Sequence, residues 1–136
     1  MSFNIRKLNS SDYDNILVGW WKDWGWEPPA KDFLPDNGEG GLLVLDDNTP
    51  VCSGFIYITN SKVAWINWII SDKNFEDKKI RNIAIEMLLN NLVKMATKNN
   101  NSYVFASNNN LSLVDRFTNI GFVKGCENTT EIILKI

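Results

Sequence analysis

The run Asn110-Leu-Ser-Leu-Val-Asp-Arg-Phe117-Thr-Asn-Ile-Gly121-Phe122 decides how the rest of the chain is read. It follows a β-prone stretch, Tyr103-Val-Phe-Ala-Ser107, and precedes another, Thr130-Glu-Ile-Ile-Leu-Lys-Ile136. Asn is a strong helix N-cap and Gly a strong helix stop, so the order is strand, turn, short helix, glycine stop, strand.

Working back from that run, Lys98-Asn-Asn-Asn-Ser102 ends a longer helix. In it Ile80, Ile83, Ala84, Met87, Leu88, Leu92 and Met95 recur at three- and four-residue spacing, so one face is apolar and packs on a sheet. Upstream, Leu42-Leu-Val-Leu45, Val51-Cys-Ser-Gly-Phe-Ile-Tyr-Ile58 and Val63 to Ile70 are three β-prone runs. A polar five-residue turn, Asp46 to Pro50, and a second turn, Thr59 to Lys62, join them into an antiparallel meander. At the N-terminal end, Phe3 to Leu8 reads as a strand, and Ser10-Ser-Asp-Tyr-Asp-Asn supplies capping residues for a helix over Ile16 to Trp21. Four of the six tryptophans crowd into Trp20-Trp-Lys-Asp-Trp-Gly-Trp-Glu-Pro-Pro29, and Leu34 to Gly41 is a turn-rich loop.

The resulting order, β, α, β, β, β, α, β, α, β, is an α/β chain with a mixed, mostly antiparallel central sheet flanked by helices. Its 136 residues suit one domain spanning 1–136. A hydrophobic fraction of 44% and a charged fraction of 22% are those of a soluble protein, and no apolar run approaches the ~20 residues of a membrane span. No signal peptide is evident, so a cytoplasmic location is expected. A net charge of -2 provides no footprint for a nucleic-acid backbone. Cys52 and Cys126 lack metal-ligand spacing and are read as buried thiols, with no metal site. The absence of histidine excludes His-assisted nucleophiles and His-based zinc sites, and it leaves any proton transfer to carboxylates, Tyr, Lys, backbone groups or water.

The closing run resembles that of the GNAT superfamily of acyl-CoA-dependent N-acyltransferases, in which an Asn opens a helix, a Tyr follows seven residues later and Gly-Phe four residues after that. Here these are Asn110, Phe117 and Gly121-Phe122. The element order matches the family's, and Gly40 to Phe55 looks like its second and third strands. Segments Trp20 to Trp24 and Leu34 to Gly38 are also similar to small phage-encoded GNAT-like proteins, which would place the chain in a bacterial host's cytoplasm.

The resemblance implies acetyl-CoA, or another acyl-CoA, as cofactor and an amine on a small molecule or protein as acceptor. It implies that backbone groups near Ile69 and Ile70 meet the pantetheine arm and the developing oxyanion. The pyrophosphate signature corresponds to Lys79-Ile-Arg-Asn82-Ile83-Ala84, with Lys78 adjoining it and Asn110 opening the next helix. A second register puts Phe75-Glu76 at the family's aromatic-Arg pair. Lys78, Lys79 and Arg81 equally suit a solvated helix start. The family's Tyr acid falls on Phe117, which has no hydroxyl, so the thiolate leaves unassisted, Ser112 substitutes, or catalysis is impaired. Asn67 lies where some relatives place a Glu and as an amide can at most orient water.

Trp21, Trp24, Trp26 and Glu27 fall in the segment that shapes the acceptor site in the family. The indoles are either core or an aromatic wall gripping a cationic amine. Two functions follow: an N-acetyltransferase, or a GNAT-fold binding or structural module whose catalysis is impaired. A monomer or a homodimer is compatible with either, with Trp65 or Trp68 as a candidate edge contact.

Overall fold

In the computed structural model, which describes residues 2–136, β1 (Phe3–Lys7) leads into a π-helical turn, Tyr13–Leu17, continued by α1 (Val18–Asp23). Two 3-10 turns, Lys31–Phe33 and Pro35–Gly38, cross to β2 (Gly41–Asp46), β3 (Thr49–Ile58) and β4 (Val63–Ser71). Then come α2 (Lys78–Lys98), β5 (Tyr103–Ala106) and α3 (Leu111–Asn119). The sheet order is β1-β2-β3-β4-β5, antiparallel except for the parallel β4/β5 pair. The mixed sheet flanked by helices is as expected.

Each face of the sheet buries its own cluster. On one side α2 and α3 cover Leu42, Val44, Ile56, Ala64 and Ile66 with Leu88, Leu89, Leu92 and Phe117. On the other, the Trp-rich segment lays Leu17, Trp20, Trp21 and Leu34 over Leu43, Phe55 and Ile70. Between β1 and α1, Asp12 is buried and receives both Arg6 Nη1–H and Nη2–H at 2.7 and 3.0 Å, together with the Asn9 backbone N–H at 2.7 Å. Burial pushes the Asp12 carboxyl upward, but the Arg6 and Asn9 hydrogen bonds outweigh it and hold the group below the usual carboxylate range. A depressed folded-state value means this contribution is complete above the unfolded carboxylate range and disappears as pH falls through the folded value. Asp12→Asn is therefore expected to lower stability near neutral pH and to flatten the acid limb of a pH–stability curve measured by denaturant titration. Equal acid sensitivity of variant and parent would show that Asp12 carries none of it.

Four expectations are corrected. The β2–β3 turn has two residues, Asp47 and Asn48, rather than five; Asp47 adopts φ 53°, a left-handed angle that Asp tolerates and a tight hairpin requires. In α2 the buried stripe is Ala84, Ile85, Leu88, Leu89, Leu92 and Ala96, which leaves Ile83 exposed. Apolar residues cover a wider arc of this helix than one sheet face can hide, so spacing alone does not choose the inward edge. Cys126 is exposed, whereas Cys52 is buried and its thiol is pushed far up by desolvation. Thr130 to Ile136 forms no strand: from Val123 onward the chain runs outside helix and sheet, and among the described residues no strand pairs with it.

Candidate active site

Parallel pairing of β4 with β5 runs from Val63↔Tyr103 to Ile66↔Ala106 and stops there, although β4 continues to Ser71. The cause lies in β4's other partner. Against β3, Asn67 pairs with Phe55 and Ile70 with Ser53, so Trp68 and Ile69 together oppose the single residue Gly54. This is a β-bulge, and Trp68 makes it by adopting φ 58°. The extra residue swaps the faces of the strand: Ala64 and Ile66 point to the α2 side, but beyond the bulge Ile69 takes that side, while Trp68 and Ile70 face the Trp-rich side. Beyond the pairing, Asn67 to Ser71 of β4 have no partner on β5.

A left-handed tryptophan costs about 1–2 kcal/mol, so its surroundings must hold it there. The indole Nε1–H donates to Tyr57 Oη at 2.9 Å, and the Tyr57 hydroxyl donates to the Phe33 carbonyl at 2.9 Å. The Trp68 ring also meets Trp21 and Phe33 edge-on, at centroid distances of 6.4 and 5.8 Å. Burial raises the Tyr57 hydroxyl's pKa and the bond from Trp68 partly reverses the shift, so Tyr57 stays protonated near neutral pH. On the opposite side of the bulge stands Gly54, where a Cβ would come within 2.5 Å of Ile69 Cδ1 and 3.1 Å of Leu92 Cδ1 and would push those side-chain ends aside.

Past Ser71, the loop 72–77 carries the chain to the head of α2. Asp77 caps that helix, its carboxylate accepting from the backbone N–H of Lys79 and Ile80 at 3.0 and 3.2 Å. An incoming phosphate at these amides would therefore compete with Asp77. Lys78 and Lys79 are exposed, and Arg81 reaches back toward the Asp72 and Lys73 carbonyls at 3.4 Å each. From α3, Arg116 Nη2–H donates to Asn82 Oδ1 at 2.6 Å, adding a fourth cationic side chain to the first turns of α2. Basic charge at a helix N-terminus opposes the macrodipole, and a bound polyanion would offset that.

The remaining candidates divide clearly. Asn67 is the first residue of β4 beyond its pairing with β5, and Ile69 and Ile70 follow it on the unpaired stretch with their side chains packed in the first and second clusters. Ala84 is buried on the sheet side of α2, and exposed Ile83 points away from the sheet. Asn110 caps α3, its Oδ1 accepting from the Leu113 N–H at 3.1 Å. Ser112 is exposed on the first turn of that helix. Phe117 is 6% exposed, stacked edge-on against Phe122 at 4.9 Å, so it packs in the core.

Trp21 is likewise core, at 2% exposure. Trp24 and Trp26 stack at 5.7 Å on the Trp-rich side; Trp24 Nε1–H donates to the Ser71 carbonyl at 2.8 Å, and Lys73 Nζ lies 5.4 Å from the Trp24 ring centre. Glu27 is exposed beside them. Trp68 is no edge residue: it packs in the second cluster. Arg116, Tyr57 and the role of Trp68 escaped sequence reading, since the contacts that define them span 34, 24 and 11 residues. Two surface depressions, of about 300 and 270 Å³, lie beside α1 with Thr49 and Pro50, and between Pro35 and Ile58. Neither is lined by residues of β5 or of α2.

No protein-family model and no curated protein matches the chain. Solved structures do. N-acetylglutamate synthase from Neisseria gonorrhoeae, solved with coenzyme A and N-acetyl-glutamate, superposes with a TM-score of 0.72 at 16% identity over 96% of this chain, which spans 30% of that longer protein. Glucosamine-6-phosphate N-acetyltransferase from Arabidopsis thaliana gives 0.68 at 13% identity, covering 97% of this chain and 99% of that one. A GNAT family acetyltransferase from Staphylococcus aureus subsp. aureus USA300_TCH1516 gives 0.61 at 16% identity, covering 98% and 100%. The chain has the GNAT acetyltransferase fold.

Proposed function

We propose that this protein binds acetyl-CoA in the slot between β4 and β5 and transfers the acetyl group directly to an amine. The observation that carries this reading is the bulge at Trp68, which ends the β4/β5 pairing at Ile66↔Ala106 within reach of the basic head of α2. The Neisseria synthase of the same fold was solved with coenzyme A. The slot suits such a cofactor: β4 groups from Asn67 to Ser71 that point away from β3 have no β5 partner, and Lys78, Lys79, Arg81 and Arg116 would answer its phosphates.

When bound, acetyl-CoA supplies an activated thioester. The chain's own residues must then hold an amine against it, keep water out and stabilise developing negative charge. Amides of β4 beyond Asn67 serve the last task. The Trp24–Trp26 stack and the aromatic group around Trp68 form a wall on the acceptor side, and Asn67 can orient a water that carries the amine's proton away. No hydroxyl comes from position 117; Ser112 and Tyr57 are the nearest alternatives in kind, and Tyr57 already donates to Phe33.

A second reading is a GNAT-fold module that binds without turnover, favoured by the buried, hydroxyl-free Phe117 and by Asp77 occupying the amides of α2. Calorimetric titration with acetyl-CoA separates the possibilities. Saturable binding is expected, weakened about tenfold, or 1.4 kcal/mol, by Lys78→Glu combined with Lys79→Glu. Thiol release with an amine panel then distinguishes catalysis from binding alone. Absence of saturable heat at millimolar acetyl-CoA would remove both readings.

A further inference from the structure

Five aromatic side chains run unbroken over the sheet face opposite α2, up to the place where β4 leaves β5. Phe33 meets Trp68 edge-on at 5.8 Å, the Trp68 indole reaches Tyr57 Oη at 2.9 Å, Tyr57 lies 5.1 Å from Trp65, and Trp65 lies 6.3 Å from Phe105. Side chains alternate along a strand, so Trp65 and Asn67 share this face while Ala64 and Ile66 point to α2. Asn67 therefore stands beside the rings as the first residue past the β4/β5 pairing. The platform is open: Phe33 and Phe105 are 45% and 56% exposed, and Tyr57, Trp65 and Trp68 are half-buried.

Its polar atoms offer nothing to an anion. Tyr57 Oη takes the Trp68 N–H and gives its own to the Phe33 carbonyl at 2.9 Å. Trp65 Nε1–H is buried without a partner among the described residues, a state that native folds seldom leave unexplained. No cation covers these rings: the Lys–aromatic pairs among the described residues are Lys31 over Tyr13 and Lys73 over Trp24. The charge that borders the platform is negative. Asp32 precedes Phe33, and Asp36 shares a depression of about 270 Å³ with Tyr57. Neither is in an ion pair among the described residues, where Arg6–Asp12 is the one salt bridge. Free π faces bordered by carboxylates attract a cation and repel a carboxylate or phosphate.

We propose that this platform seats the acetyl acceptor, and that the acceptor is a primary ammonium on a flat aromatic body, not an amino acid or a sugar phosphate; the assignment rests on the acetyl-transfer reading above. The ring of the amine lies along Tyr57, Trp65 and Phe105, and its nitrogen points toward Asn67. The ammonium first gives one proton to water at Asn67. Its lone pair then forms the N–C bond to the thioester carbonyl carbon as the C–S bond breaks. The nitrogen sheds a second proton, the departing thiolate takes one up, and one proton is released overall.

Titrating the isotope-labelled full chain with phenethylamine, with and without coenzyme A, tests this through its six indole N–H signals, Trp65→Phe identifying the one from position 65. Phenethylamine is expected to move the Trp65 and Trp68 signals and to leave that of buried Trp20 in place. Phenylacetate, the same ring with the opposite charge, should move neither. With acetyl-CoA, thiol release should give phenethylamine a kcat/KM about a hundredfold above glutamate or glucosamine 6-phosphate. Phe105→Ala removes a ring that lies outside both buried clusters, so folding is expected to persist. Its KM for phenethylamine should rise about tenfold, with kcat and acetyl-CoA affinity unchanged. Where calorimetry shows acetyl-CoA bound, any of four results overturns the proposal alone: no indole shifts, equal shifts with phenylacetate, faster turnover of either anionic amine, or an unmoved KM in Phe105→Ala. Indole shifts without acetyl-CoA heat would instead remove the transfer reading, and the acceptor role with it.

Discussion

Trp68→Ala is expected to lower stability by about 2–3 kcal/mol, below the full cost of truncating a buried tryptophan because Trp68 is only partly buried. The side chain bonds Tyr57 and packs edge-on against Trp21 and Phe33, so its loss strips packing from the flank of the second cluster and removes the donor to the Tyr57 hydroxyl. The sharper expectation concerns glycine. In an ordinary strand Gly is about 0.5–1 kcal/mol worse than Ala, because it surrenders more backbone freedom on folding. Trp68 sits at φ 58°, where Ala retains the steric penalty of a Cβ and Gly does not. The order therefore inverts: Trp68→Gly should be more stable than Trp68→Ala by about 1 kcal/mol in paired urea titrations. Alanine proving the more stable would mean the strand is not left-handed there and that the slot has another origin. Both variants should also weaken acetyl-CoA binding, because the packing that holds the bulge is gone.

Gly41→Ala has a comparable effect through a different route. Gly41 opens β2 opposite Phe55, and a Cβ on it would overlap the carbonyl oxygen of Gly54, with the Gly54 carbonyl carbon and the Phe55 Cα at 3.0 Å. These are backbone atoms of the strand that carries the other side of the bulge, so no rotamer change relieves the clash. β2 must move off β3, and the Leu8 N–H bond to the Gly41 carbonyl goes with it. A loss of about 3 kcal/mol is expected, at the upper end of overpacking costs. Wild-type stability for Gly41→Ala would contradict the close approach of the two strands.

Much of this architecture was legible beforehand because local chemistry carries it. Asn110 and Gly121 bracket α3 as a cap and a stop, and the alternating apolar runs of β2 to β4 declare a meander. The head of α2 was legible too, since basic residues at a helix start form a local anomaly. Three features were not. The inward edge of α2 depends on how wide an apolar arc the sheet can cover. Arg116 meets Asn82 only because α3 packs beside α2. The last seven residues have every property of a strand except a partner, and strand formation needs a partner.

What the residues decided alone was which segments extend, which coil, and which chemistry is absent for want of histidine. What only tertiary structure decided was where the sheet parts. Trp68 has no intrinsic preference for a left-handed angle. It adopts one because Gly54 yields space on one side, Tyr57, Trp21 and Phe33 grip the indole on the other, and the sum of those contacts exceeds the local strain.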